Sequence, residues 1–202
     1  MPLTLYLIRH GETEGQSSIR YHGRTDVPLS ELGRAHMRAA RDAIATANFA
    51  RVFSSPLVRA TEGARIIAGE SIDQCIIEEF AEVHFGIFEG LTADEIKERH
   101  PEEYARWNAD RLAPTYAYPG GESRADFAAR VERGIERMLA MLPPTDHPSS
   151  RSLLVAHRGV IRTIVMKLTG SQPVVDLGSI QILERDITWR AVKPDVTHHL
   201  KV

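Results

Sequence analysis

Short apolar runs alternate along this chain with stretches whose apolar residues recur at helical spacing. The apolar runs at residues 3–8, 51–54, 75–77 and 152–156 predict strands, and the first and last predict strands covered on both faces. Helical spacing predicts helices over residues 31–47, from Pro56 onward, over 124–142 and over 160–168, with short helices near 92–99 and 102–107. Alternation of polar and apolar residues at 179–184 and 187–192 predicts a closing hairpin. Strands that alternate with helices predict an α/β fold with a layered, mostly parallel sheet.

Residues that favour helix ends mark several of these boundaries. Ser30 is a candidate N-cap for the first helix, and Ser123, with Asp126 three residues on, is a candidate N-cap for the long helix. Pro56 is predicted at the first position of the second helix, where a missing N–H costs nothing. Gly170 is predicted to end the last helix.

Residues 80–122 interrupt the regular pattern. The stretch is rich in acids, aromatics and prolines, and it is predicted to form an excursion over one end of the sheet. The Pro- and Ser-rich connector at 143–150 is too short to separate two domains. Since 202 residues suit one domain, residues 1–202 are predicted to form a single domain.

Composition excludes several classes of partner. Apolar residues make up 43% of the chain, and the net charge of −2 argues against nucleic acid or an anionic membrane as the main partner. No apolar run approaches the roughly 20 residues that span a bilayer, and the apolar N-terminal residues predict a strand rather than a signal segment. Cys75 is the single cysteine, which suits a reducing compartment, so a cytoplasmic location is expected. His198 and His199 are expected to be exposed.

Three predicted strands end in groups that suit an anion. Arg9 and His10 end the first strand, Ser54 and Ser55 end the second with Arg59 just beyond, and His157 follows the strand at 152–156. Ligands bind at the carboxyl ends of strands in open α/β sheets, and helix N-termini favour anions. Each group alone is an ordinary loop or helix residue, but their conjunction predicts a phosphate pocket, because guanidinium groups match phosphate oxygens.

Competing motifs for phosphate and hydrolase chemistry are absent from the sequence. It has no Gly-x-x-x-x-Gly-Lys loop, no Gly-x-Ser-x-Gly elbow, and no His-Glu-x-x-His pair for zinc. No arginine follows Cys75 as a cysteine phosphatase would need, and no aspartate follows the first strand. Histidine is the nucleophile that this elimination leaves.

The ordered motifs resemble those of the histidine phosphatase superfamily, the phosphoglycerate mutase-like proteins. Six blocks match in order: residues 7–14 (LIRHGETE), 23–33 (GRTDVPLSELG), 54–60 (SSPLVRA), 82–90 (EVHFGIFEG), 120–123 (GGES) and 155–162 (VAHRGVIR). The resemblance covers most of the chain. It implies a three-layer α/β/α fold with a mixed, mostly parallel sheet of about six strands.

The resemblance also implies residue roles. His10 would be the nucleophile that forms a phosphohistidine, and Glu82 would be the general acid and then the base for water. The phosphoryl oxygens would be bound by Arg9, Arg59 and His157. Local sequence alone cannot choose Glu82 over the nearby acids Glu78, Glu79 and Glu89. Two guanidinium groups beside His10 would keep its ring neutral for attack.

This sequence departs from the family pattern near the pocket. Gly15 and Gln16 stand where members often carry tryptophan and asparagine; Gln16 and Gly23 are nonetheless candidate substrate-binding residues. His22 takes the place of another polar residue, and Arg158 replaces a frequent glycine, which adds a cation near the rim.

The resemblance favours a phosphatase over a mutase. Mutases of the family are generally longer, and no added basic cluster lies between Thr92 and Gly120. The predicted substrate is a small phosphorylated metabolite, such as α-ribazole phosphate, a sugar phosphate or phosphoglycerate, with no cofactor and no metal. The alternatives are a cofactor-dependent phosphoglycerate mutase and a catalytically idle phosphate-binding or interaction module. The sequence does not determine the oligomeric state.

Overall fold

A computed structural model describes residues 2–69, 72–144 and 149–197. Within them the strands are β1 (Leu3–Arg9), β2 (Arg51–Ser54), β3 (Gln74–Ile76), β4 (Arg151–Ala156), β5 (Ile180–Arg185) and β6 (Trp189–Val196). The α-helices are α1 (Glu31–Ala43), α2 (Val58–Ala68), α3 (Ala93–Arg99), α4 (Pro101–Asp110), α5 (Arg124–Ala140) and α6 (Arg158–Thr169). The pair His198-His199 and part of the predicted connector, residues 145–148, lie outside the described residues.

The six strands form one mixed sheet in the order β3-β2-β4-β1-β5-β6. Strands β3, β2, β4 and β1 pair in parallel, whereas β5 and β6 pair antiparallel at the other edge. The predicted hairpin is therefore confirmed. Because β1, β4 and β2 are parallel neighbours, their carboxyl ends meet at one edge of the sheet.

Helices cover both faces of this sheet, which confirms the predicted three-layer α/β/α architecture. On one face, side chains of β1 and β4 pack against the stripe of Phe127, Val131 and Ile135 on α5 and against α6. On the opposite face, Ile8 of β1 packs with α1 and α2. Burial on both sides explains why β1 and β4 are apolar almost throughout.

The segment between β3 and α5 contains two short 3-10 helices, at Glu78–Phe80 and Gly86–Phe88, followed by the α-helices α3 and α4. It also has an apolar cluster of its own. Phe88, Ile96 and Trp107 form the buried part of that cluster, and aromatic rings surround it. The cluster orders a stretch in which the sequence shows little periodicity. Among the described helices, none has the length and apolar character needed to cross a membrane.

The predicted caps are confirmed, but two predicted helix boundaries, the end of α1 and the start of α2, are wrong. The Oγ atoms of Ser30 and Ser123 accept N–H bonds in the first turns of α1 and α5, and Gly170 ends α6 in a left-handed conformation. Helix α1 ends at Ala43 rather than 47, because the chain tightens into turns after it; there the β-branched residues Ile44 and Thr46 disfavour helix.

Helix α2 begins at Val58, two residues after Pro56. Side chains satisfy its first N–H groups: Asp26 Oδ1 accepts from Val58 N–H at 2.8 Å, and Ser55 Oγ accepts from Leu57 N–H at 3.3 Å. The N-terminus of α2 therefore does bind an anionic group, which is the carboxylate of Asp26.

Candidate active site

The register of the parallel strands brings the predicted strand-end residues together. Arg9 of β1 lies opposite Ala156 of β4, and His10 N–H donates to the Ala156 carbonyl at 3.0 Å. Ser55 N–H donates to the Val155 carbonyl of β4 at 3.1 Å. His10 and His157 directly follow adjacent strands, and their rings consequently lie edge to face with centroids 5.1 Å apart.

Hydrogen bonding fixes the tautomer of His10. The ring is only 4% exposed, and its Nδ1 lies 2.7 Å from the carbonyl oxygen of Gly11. A carbonyl oxygen can only accept, so in the neutral ring the proton sits on Nδ1. The lone pair is therefore on Nε2, the nitrogen that can act as a nucleophile.

Burial and nearby cations keep both site histidines neutral. Burial is the largest cause that lowers the pKa of His10 well below 6.5, and the guanidinium groups of Arg59 and Arg9 lower it further. Burial also lowers the pKa of His157, followed by the charge of Arg59. Ser55 Oγ lies 2.6 Å from Nε2 of His157 and holds that ring in place.

These lowered pKa values make a prediction about stability. In the unfolded chain each ring regains its ordinary pKa of 6.5, so below that pH the unfolded state binds protons that the folded state rejects. The free energy of unfolding is therefore expected to fall as the pH drops through 6.5 toward the lowered pKa values. Denaturant unfolding at several pH values would measure this. A double variant, His10→Asn with His157→Asn, should show a flatter pH dependence, and parallel curves would contradict the expectation.

Backbone carbonyls fix the guanidinium of Arg59, which is only 1% exposed. Its Nη2 donates to the Gly23 carbonyl at 2.7 Å, and its Nη1 donates to the Thr25 carbonyl at 2.9 Å. Gly23 adopts a φ of 54°, and a Cβ there would lie 2.5 Å from both Glu89 Oε1 and the Val83 carbonyl. The loop thus needs glycine at this position to place the carbonyl that holds Arg59.

Arg9 is the second arginine whose charge acts on His10. Its Nη1 donates to the Val175 carbonyl at 3.0 Å. Burial, and then the neighbouring charge of Arg158, lower the pKa of Arg9 to about 10, so the group remains cationic near neutral pH. Two fixed guanidinium groups therefore flank the neutral nucleophile.

Glu82 faces the same cavity from the segment that follows β3. Its Oε2 accepts a hydrogen bond from the Gly159 N–H at 3.1 Å, and its Oε1 accepts one from its neighbour Val83 at 3.1 Å. A Cβ on Gly159 would lie 2.6 Å from Oε1 of Glu82, so glycine at this position leaves room for the carboxylate.

The other acids considered from sequence have different surroundings. Glu89 accepts from the backbone N–H groups of Arg24 and Thr25 and ties two loops together. Glu79 pairs with Arg137, and Glu78 is exposed. Glu82 is thus the acid of the four that lines the cavity.

The cavity has a volume of about 190 Å³. Five of the seven predicted site residues line it: Arg9, His10, Gly23, Arg59 and Glu82. His157 is fully buried and reaches the site through its contact with the ring of His10.

Gln16 is the predicted site residue that the structure does not bring to the cavity. It is exposed and adopts a left-handed φ of 62°, and its carbonyl accepts N–H bonds from Ile19 and Arg20 in a tight turn. Ser17 and Ser18, which follow this turn, line the cavity instead.

Sequence reasoning missed part of the lining. Ser17, Ser18, Ile19, Arg20, Tyr21 and Phe85 line the cavity, although the stretch at 17–21 has no periodicity that could reveal it. His22 and Arg158, which the family comparison singled out as departures, also line it. Their departure from the family pattern was therefore the sequence signal that could have located His22 and Arg158 in the cavity.

Several buried nitrogens around the cavity lack a hydrogen-bond partner among the described residues. They are Nε of Arg9, Nε of Arg59, Nδ1 of His22 and Nδ1 of His157. The two arginine Nε–H groups are donors, and unpaired buried donors are costly; a bound oxyanion is the kind of group that satisfies them. Among the residues that the structure describes, no group of three or more His, Cys, Asp or Glu residues is arranged to hold a metal ion.

The chain is similar to known proteins along most of its length. Residues 5–195 match the model of the histidine phosphatase superfamily, branch 1. The chain spans about half the length of the first curated relatives that it matches, which include a bifunctional protein of Mycobacterium tuberculosis that is 35% identical over 91% of this chain and 50% of its own.

Other relatives match along most of their length. Adenosylcobalamin/α-ribazole phosphatase of Salmonella typhimurium is 32% identical over 94% of this chain and 90% of its own. A 2,3-bisphosphoglycerate-dependent phosphoglycerate mutase of Gloeobacter violaceus is 36% identical over 84% of this chain and 77% of its own. The solved structure of mycobacterial glucosyl-3-phosphoglycerate phosphatase superposes with a TM-score of 0.79 at 27% identity, covering 98% of this chain and 100% of that one.

Proposed function

Because the chain belongs to the histidine phosphatase superfamily, we propose that it hydrolyses a small phosphate monoester through a phosphohistidine on His10. One observation carries this proposal above the others. The Nε2 lone pair of a neutral, buried His10 lies in a cavity flanked by two fixed guanidinium groups, Arg9 and Arg59.

In the first step, Nε2 of His10 attacks the phosphorus atom while the bond from phosphorus to the ester oxygen breaks. Arg9 and Arg59 neutralise the charge on the three equatorial oxygens, which is the main demand of phosphoryl transfer. The ring of His157 lies against the ring of His10, and in this proposal it helps to bind the same phosphoryl oxygens. Because Gly11 already accepts the Nδ1 proton of His10, the ring can carry the positive charge that forms on attack.

Glu82 manages the protons of both steps. As an acid it donates a proton to the departing ester oxygen, and the free alcohol leaves. As a carboxylate it then takes a proton from a water molecule, whose oxygen attacks the phosphorus while the bond from phosphorus to Nε2 of His10 breaks, and inorganic phosphate leaves. His10 is regenerated neutral and Glu82 is protonated again.

We expect phosphate release to need no divalent metal, because two arginines already supply the positive field. Purified protein should release phosphate from small alkyl phosphates and from 4-nitrophenyl phosphate in the presence of a chelator, at the rate seen without it. Vanadate should compete with these substrates. Loss of activity in chelator that magnesium or zinc restores would contradict the metal-independent mechanism.

A phosphoglycerate mutase is the second candidate, since one relative carries that name. Hydrolysis is favoured because the segment between β3 and α5 contributes Glu82 and Phe85 to the cavity lining, whereas its basic residues Lys97, Arg99, Arg106 and Arg111 lie outside it. Incubation with 3-phosphoglycerate and a bisphosphoglycerate primer separates the two, because a mutase yields the isomer and a phosphatase yields phosphate.

An idle phosphate-binding module is the third candidate. The presence of the nucleophile, both arginines and Glu82 in one cavity argues against it. An assay with 4-nitrophenyl phosphate decides the point, because an idle module would bind phosphate and release no nitrophenolate.

A further inference from the structure

A second cavity adjoins the one that contains His10. It has a volume of about 340 Å³ and is lined by Arg9, Ser17, Ser18, His36, Arg158, Asp176 and Leu177. Four of these residues, Arg9, Ser17, Ser18 and Arg158, also line the first cavity, so the two spaces share a wall. The proposed phosphoryl transfer uses only the first cavity and leaves the second without a role.

Glu82 indicates which part of a substrate the second cavity faces. Its carboxylate is held by the N–H of Gly159, the residue next to Arg158. The oxygen that Glu82 protonates is the one that joins phosphorus to the leaving alcohol. In the proposed mechanism the leaving alcohol departs at Glu82, and Arg158, next to Gly159, lines both cavities.

Arg158 lies in an unfavourable position for a cation. It is the first residue of α6, where the positive end of the helix dipole disfavours a positive charge. It also lies close enough to Arg9 for its charge to lower that residue's pKa. Among the described residues no carboxylate forms an ion pair with it, and its side chain is exposed.

The charges around the second cavity favour an anion. Two guanidinium groups, those of Arg9 and Arg158, stand against the single carboxylate of Asp176. Ser17 and Ser18 add hydroxyl groups to the same wall. A negative group there would offset the repulsion between the two arginines and the unfavourable dipole at Arg158.

We propose that Arg158 is a specificity-determining residue that selects phosphate monoesters whose leaving alcohol carries a second anionic group, held in the second cavity. The inference rests on the proposed phosphatase function and narrows its substrate class. Either a carboxylate or a second phosphate has the required chemistry. An alcohol that carries an aromatic base would instead rely on Tyr21 and Phe85 of the first cavity, and it would gain nothing from Arg158.

The test compares matched three-carbon esters in the wild type and in Arg158→Gln. Glycerol 3-phosphate has a neutral leaving alcohol, 3-phosphoglycerate adds a carboxylate, and propane-1,3-diol bisphosphate adds a second phosphate. The ratio of kcat/KM for each charged ester to that for glycerol 3-phosphate should fall about tenfold in Arg158→Gln, the scale of one exposed charge-assisted hydrogen bond. The charged ester whose ratio falls more identifies the anionic group that Arg158 binds.

Two further variants control the sign and the location of the effect. Arg162→Gln removes the same charge one turn along α6, outside both cavities, and should leave the ratios unchanged. Asp176→Asn removes the opposing carboxylate and should raise them. The wild-type preference should also shrink as the ionic strength rises, because exposed charges are screened.

The outcomes separate this inference from the proposed function. Hydrolysis of all three esters with ratios that Arg158→Gln leaves unchanged would overturn the inference while the phosphatase function stands. Equal ratio losses in Arg158→Gln and Arg162→Gln would overturn it too, because the effect would then reflect overall charge. No phosphate release from any ester, nor from 4-nitrophenyl phosphate, would instead overturn the proposed function.

Discussion

Replacement of His10 by alanine is expected to abolish turnover and leave the fold in place. The other two histidines near the cavity have their Nε2 atoms bonded, that of His22 to the Gly15 carbonyl and that of His157 to Ser55, so the covalent route is lost with the ring of His10. Removal of a covalent nucleophile costs on the order of 10⁶-fold in kcat. Steady-state phosphate release and thermal unfolding, measured on the same preparations, would check both parts of the prediction.

The fold is expected to survive because the ring of His10 lies at the cavity and its side chain makes one hydrogen bond, to the adjacent Gly11. His100→Ala is a matched control, since it removes a histidine between α3 and α4 that lines neither cavity. It should keep wild-type kcat. A folded His10→Ala protein that retains more than a small fraction of the wild-type rate would show that another group attacks phosphorus.

Replacement of Glu82 by glutamine is expected to slow phosphoenzyme formation by an amount that depends on the leaving group. An alkoxide is a poor leaving group, so the acid should contribute about 10²–10⁴-fold with alkyl phosphates. Nitrophenolate scarcely needs a proton, so the loss with 4-nitrophenyl phosphate should be far smaller. Single-turnover kinetics isolates this step from the hydrolysis of the phosphoenzyme. Equal losses on both substrates would mean that Glu82 only positions the substrate.

Gly159→Ala disturbs the same carboxylate without removing it. The new Cβ would lie 2.6 Å from Oε1 of Glu82, so the side chain must move, although alanine is the better helix former. We expect the variant to reproduce the leaving-group dependence of Glu82→Gln in weaker form while the thermal stability is kept. If the variant instead failed to fold and showed no dependence of the rate loss on the leaving group, Gly159 would be a packing residue.

The strand ends could be predicted from sequence because local patterns determine them. Apolar runs followed by Arg9-His10 and by His157 predict where β1 and β4 end, and the parallel pairing of these strands then brings both histidines together. The caps at Ser30 and Ser123 were predictable for the same reason, since a helix N-cap depends on residues within one turn.

The rest of the site depends on contacts that are distant in sequence. The position of Glu82 depends on the N–H of Gly159 and on the aromatic cluster that orders its segment, and neither is visible in the residues around it. Arg59 is oriented by carbonyls of a loop more than 30 residues earlier. For Glu82, the family resemblance supplied what local physics could not.

The start of α2 after Pro56 and the placement of Gln16 outside the cavity have the same origin. Proline is favoured at the first position of a helix, which predicts a start at Pro56. The carboxylate of Asp26 accepts from the N–H of Val58, however, and α2 starts at Val58. Gln16 lies in a left-handed turn that side-chain chemistry alone does not predict, so the two serines after it face the cavity. In both cases a tertiary contact or an unusual backbone angle overrode a local preference.

The covalent intermediate tests the central claim most directly. The wild type is mixed with an alkyl phosphate labelled in its phosphoryl group, quenched in base within one turnover, digested and mapped by mass spectrometry. The account predicts a phosphoryl group on the peptide that contains His10, stable in base, labile in acid and absent from His10→Ala. A label on any other residue, or one that survives in His10→Ala, would contradict the assignment of His10 as the nucleophile.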